Sequence, residues 1–160
     1  MTAKINEGLH HQFQSSCTML KDAIKNVPDE KWHKGTESWF FSLTAYHIVE
    51  TMDFYTRDSP KGMKWGAKAG YDWDSTKDIE TDILPKISKD IVTAYIKEME
   101  ERLKTFFETK TPDQLSSDDD FEWFTSIFER ILYLLRHNMH HIGELCKTLR
   151  DWKCERAKWT

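Results

Sequence analysis

The sequence predicts an all-α protein, and three observations predict it. Glycine and proline are scarce, 6 and 4 in 160 residues, too few for the many turns of a sandwich or barrel. Apolar residues recur at helical spacing over four long stretches, and no stretch alternates with the period of a strand. Aromatic residues make up 13% of the chain, with seven Trp, which supplies the bulk to fill a core between helices. The length suits a single domain over 1–160.

The first helix is expected over 3–27, where Ile5, Leu9, Phe13, Leu20, Ile24 and Val27 recur and Pro28 ends the run. A connector with Trp32 and Gly35 follows. The second helix runs from Ser38, the expected N-cap, to Arg57, and Asp58-Ser59-Pro60 stops it. Residues 58–78 hold Pro60, Gly62, Gly66 and Gly70 among the aromatics Trp65, Tyr71 and Trp73, and read as a long loop. Loops of that length in compact domains are often functional or mobile; this one would cover a substrate, pack on the body, or meet a second copy.

The third helix is expected from Ile79 or Pro85 to Glu108, with Ile87, Ile91, Tyr95, Met99, Leu103 and Phe106 on one face. Thr111-Pro112 interrupts it. Asp118-Asp119-Asp120 is a polar turn that could cap a fourth helix, expected from Glu122 to Trp152, with the tail 153–160 continuing it or fraying. Four such helices make a four-helix bundle. The long link between the second and third is able to cross it, so simple up-down order is not required.

Composition excludes several classes. Hydrophobic residues are 39% and charged residues 31%, with a net charge of −4 and the two signs mixed along the chain. No basic patch reaches the density that phosphate backbones demand, so nucleic acid is not an expected partner. No apolar run approaches the roughly 20 residues that span a bilayer, and residues 1–14 have no apolar signal segment. Cys17, Cys146 and Cys154 are odd in number and form no CxxC, so they read as free thiols in a reducing, cytoplasmic compartment, with Cys17 and Cys146 as small core residues.

The histidines carry the chemistry. On the fourth helix Ile127, Ile131, Leu134, Asn138, Leu145 and Leu149 share one direction, the core face. At 100° per residue, His141 lies about 50° from its centre, His137 about 90° on the same side, and His140 about 150° away, facing water. His137 and His141 therefore stack one turn apart, a spacing that can chelate a metal, and Glu144 continues the stripe. On the second helix His47 sits amid Phe40, Leu43, Thr51 and Phe54. A buried imidazole nitrogen without a partner costs about 1–3 kcal/mol, and a metal shared with the facing pair would satisfy it. Each signal alone has a plainer explanation: a hydrogen-bonded core histidine, or a chance His-rich turn. His10, His11 and His33 read as solvated, with His10 or His11 as the alternative rim of a bundle opening.

At these residues the chain resembles the DinB/YfiT-like metal-binding bundles. The Trp39-Phe-Phe-Ser-Leu-Thr-Ala-Tyr-His47 stretch matches the family's first ligand, which follows an apolar run in the second helix. His137-Asn-Met-His-His141-Ile-Gly-Glu144 is close to its H-x-x-H-H-R-G-Q pattern, with Ile142 where Arg is usual and Glu144 where Gln is usual. The likeness covers nearly the whole chain in helix order and spacing. It implies His47, His137 and His141 as ligands, a crossover bundle, a homodimer, and nickel or zinc. It also implies a transferase that uses a low-molecular-weight thiol on a small electrophilic substrate.

Three histidines alone leave coordination positions open, unlike closed four-ligand structural sites. Nitrogen donors suit zinc, nickel, copper or iron. Glu50 and Glu144 are the residues expected to support the ligands, although Glu144 could equally be a surface residue. Two other functions fit the same residues: a non-catalytic metal-binding stress or interaction protein, and a metal-dependent hydrolase.

Overall fold

The computed structural model describes residues 3–36, 39–73 and 84–160, and these are mostly helical. The elements are α1 (Ala3–Asn26), β1 (Gly35–Thr36), β2 (Trp39–Phe40), α2 (Phe41–Tyr55), α3 (Lys89–Thr109), α4 (Pro112–Leu115) and α5 (Ile127–Asp151). The expected Ser38 cap and the Ile79 helix start lie outside the described residues.

α2 is the central element. Every residue from Phe41 to Phe54 is buried except His47, which is half-buried. α2 packs on α3 and α5, and α1 packs on the same two helices. The core between them is built from the stripes read in the sequence: Phe13, Leu20 and Ile24 of α1, Met99 and Leu103 of α3, and Ile131, Leu134, Leu145 and Leu149 of α5 are all buried. The α1 stripe starts later than its spacing suggests, since Ile5 is exposed. Cys17 fills the drift between Phe13 and Leu20. Burial pushes its thiol up to about 12. Cys146, expected in the core, is half-buried.

Helix ends depart from the reading for local reasons. Among the described residues no side chain caps α2; the connector's carbonyls serve its first amides, Lys34 O accepting from Phe41 N–H at 2.7 Å and Trp32 O from Ser42 N–H at 3.0 Å. The connector is held close by a two-residue antiparallel ribbon, β1 against β2, that pairs Gly35 with Phe40. Only glycine fits at 35, because a Cβ there would lie 2.3 Å from the Trp39 carbonyl oxygen. α3 starts at Lys89, capped by the Ser88 side chain; Pro85 stays in the preceding link.

Thr111-Pro112 does more than interrupt. With Gln114 it forms a capping box on the one-turn helix α4. The cap of α5 is Ser126, not the aspartate run, and α5 begins at Ile127. Asp119 turns inward, where its buried carboxylate meets the buried Arg130 at 2.7 Å. The tail is not helical. It doubles back along α1, with Asn26 Nδ2 donating to Arg156 O at 3.2 Å and the Thr160 hydroxyl to Ser15 O at 3.2 Å. Among the described residues no helix is long and apolar enough to cross a membrane.

Candidate metal centre

The contact between α2 and α5 brings the three histidines together. His47 Nε2 lies 3.0 Å from His137 Nε2. The ring centroids of His137 and His141, one helical turn apart, are separated by 4.5 Å, and those of His47 and His141 by 5.0 Å. One ligand nitrogen from each lies within 4.8 Å of the other two, and all three residues are half-buried. A tetrahedral ion with its nitrogens at about 2.0–2.1 Å holds them about 3.3 Å apart, so the donor set fits a divalent metal with small side-chain adjustments.

Hydrogen bonds decide which nitrogens are available. The Thr51 hydroxyl has carbonyl acceptors in its own helix, His47 O at 2.8 Å and Ile48 O at 2.9 Å. With its proton so placed, Thr51 Oγ1 accepts from His137 Nδ1–H at 3.3 Å. His137 Nε2 is then a lone pair aimed at His47, a separation that a shared hydrogen or a shared ion satisfies. His141 Nδ1 donates to Glu144 Oε2 at 2.6 Å, which leaves Nε2 as its ligand atom. A carboxylate or hydroxyl on the far nitrogen is how metal-binding histidines are held.

Burial, reinforced by the neighbouring imidazoles, pushes His47 and His137 down to about 4. Both are therefore neutral at pH 7, the form that binds metal. The Tyr133 ring stacks on His137 at 6.2 Å, one turn earlier on α5.

The other predicted residues separate cleanly. His140 is exposed on the outer side of α5, its Nε2 3.3 Å from Glu144 Oε1. His140, His141 and Glu144 form a second gathering of possible ligands, but the His140 and Glu144 side chains are 66% and 52% exposed. Water competes for such groups, so the half-buried trio is the stronger site. Glu50 supports the loop rather than the trio. Its buried carboxylate accepts from the Tyr46 hydroxyl at 3.1 Å and from Gly66 N–H at 2.5 Å. His33, read as solvated, is half-buried against the Ser42 hydroxyl at 3.2 Å, and the half-buried His10 stacks on Phe107.

A cavity of about 720 Å³ opens beside the trio. His47 and His141 form part of its wall, with Trp39, Phe41, Thr44 and Trp152 around them. A smaller cavity of about 260 Å³ also borders His47. Sequence reading missed Thr51 as the acceptor for His137, although its position four residues after His47 puts it on the same face. It also missed Trp152, whose place at the mouth depends on how α5 ends.

No family model, curated protein or solved structure matches this chain.

Proposed function

We propose that this chain is a DinB/YfiT-like, crossover four-helix bundle that binds one divalent metal, nickel or zinc, through His47, His137 and His141. The observation that carries the reading is the convergence of three imidazoles from two helices, two of them, His47 and His141, on the wall of a large cavity. Three nitrogen ligands with a cavity alongside suit an open site better than a closed structural one.

The activity we propose is a metal-dependent transfer of a small thiol to an electrophile. A bound divalent ion supplies Lewis acidity that lowers the pKa of a thiol or water beside it. The chain's own contributions are positional. Thr51 and Glu144 fix the outer nitrogens of His137 and His141, and so the direction of their lone pairs. Trp39, Phe41 and Trp152 give the cavity apolar walls that exclude water from a bound substrate.

Protein purified without a tag or a nickel column should contain close to one metal per chain by elemental analysis. The metal-loaded form should accelerate thiol addition to chlorodinitrobenzene or an epoxide over the metal-free form. Equal rates with every thiol tried would overturn the transferase reading, and ester or amide hydrolysis without thiol would replace it with a hydrolase. The reading includes a homodimer, which sedimentation equilibrium measures.

A further inference from the structure

The smaller cavity has a composition the metal centre does not explain. Three indoles, Trp39, Trp65 and Trp73, line it together with Tyr46, Glu50 and the side of His47. At about 260 Å³ it falls below the roughly 300–1,000 Å³ of pockets for drug-sized ligands, and so suits a compact group.

Its walls are held in place. Trp73 N–H donates to Trp65 O at 3.2 Å, and Tyr71 N–H to Gly66 O at 3.0 Å, which closes the loop that presents the two indoles. Gly66 has a φ of +84°, and the Trp73 ring lies 2.8 Å from where a Cβ would be. Trp65 is braced from behind by Phe54, at 4.9 Å between ring centroids.

Glu50 closes the cavity with a carboxylate that is 4% exposed. Its partners, the Tyr46 hydroxyl, Gly66 N–H and the Trp73 side chain, are all neutral donors. Among the described residues no lysine, arginine or histidine forms an ion pair with it. A buried carboxylate without a counter-charge is costly, and burial pushes the Glu50 carboxyl above its usual range despite those donors. Indole faces attract cations through their quadrupole, most strongly when water is excluded. Several indoles and one carboxylate around a compact space therefore favour one occupant chemistry.

We propose that this cavity binds a small organic cation, a quaternary or tertiary ammonium headgroup, against Trp39, Trp65 and Trp73 with Glu50 as its counter-charge. The inference goes beyond the metal reading and does not rest on it.

The test is a titration of the full-length protein with choline, followed by Trp fluorescence and by calorimetry. 3,3-Dimethyl-1-butanol serves as the uncharged probe of the same shape. Choline should bind at least about tenfold more tightly than the alcohol. Glu50→Gln keeps an acceptor for Gly66 N–H and removes the charge, so it should weaken choline about tenfold and leave the alcohol unchanged. Trp39→Leu, on the exposed rim, should weaken choline as well, and it decides the matter if Glu50→Gln does not fold. Equal affinities for the two probes, or choline binding unaltered in both variants, would overturn the proposal. His137→Ala, which should lose the metal, should still bind choline, so failure of one reading is distinguishable from failure of the other.

Discussion

At the proposed metal site, protons and a metal ion would compete for the same lone pairs at His47 and His137. Both imidazoles are held at about 4 in the folded protein, against about 6.5 when unfolded. Below pH 6.5 the unfolded chain therefore binds protons that the folded one refuses, so stability falls as pH drops from 6.5 towards 4 and is full above that window. For metal-free protein the loss should be on the order of 2 kcal/mol for each imidazole by pH 5, less whatever solvent screening removes, read from urea midpoints at pH 7 and 5. His137→Gln should flatten that dependence. An equal pH dependence in wild type and variant would show that these imidazoles are not the cause. The same residues carry the proposed metal site: His47→Ala should abolish stoichiometric uptake, whereas His140→Ala should leave it largely unchanged, as equilibrium dialysis would measure. That contrast was legible in the sequence, because the angle around a helix depends only on residue spacing. The role of Glu50 was not. Spacing places it one turn from His47, but its carboxylate goes to Gly66, whose loop arrives from elsewhere in the chain.

Whole elements were readable where one stripe repeats for several turns, as on α3 and α5. They were misread where tertiary contacts replace local signals. α2 starts at Phe41, where the carbonyls of Trp32 and Lys34 serve its first amides. The aspartate run before α5 resembles a cap, but Asp119 pairs with Arg130 instead. Arg130 also donates from Nη1 to Tyr55 O at 3.0 Å and to Arg57 O at 2.5 Å, and its guanidinium lies 4.3 Å from the Phe121 ring centroid. One buried side chain thus ties the end of α2, the link before α5 and the first turn of α5. Arg130→Met would leave Asp119 buried and unpaired, at a cost of about 3–5 kcal/mol in urea unfolding. Adding Asp119→Asn should recover part of that loss, because the uncompensated charge is gone. If the double variant is no more stable than the single, the carboxylate is not what makes the loss large.

Across the whole molecule the proposed metal centre would cross-link α2 and α5, which pack against each other. An ion that binds the folded chain and not the unfolded one adds stability as RT ln(1 + [L]/Kd), about 2.7 kcal/mol at a hundred times Kd. For a domain of this size each kcal/mol moves the melting temperature by roughly 2–4 °C, so nickel or zinc at that excess should raise it by roughly 5–11 °C. A chelator should reverse the rise. The variants separate this cross-link from nonspecific binding at the exposed cluster of His140 and Glu144. His140→Ala should keep the shift, since that imidazole faces water beyond the trio. His137→Ala should lose it, since the remaining His47 and His141 are a two-ligand set with one member on each helix. A shift that survives His137→Ala and disappears with His140→Ala would place the ion on the outer face of α5. The metal would then hold no helices together, and the large cavity would have no ion beside it.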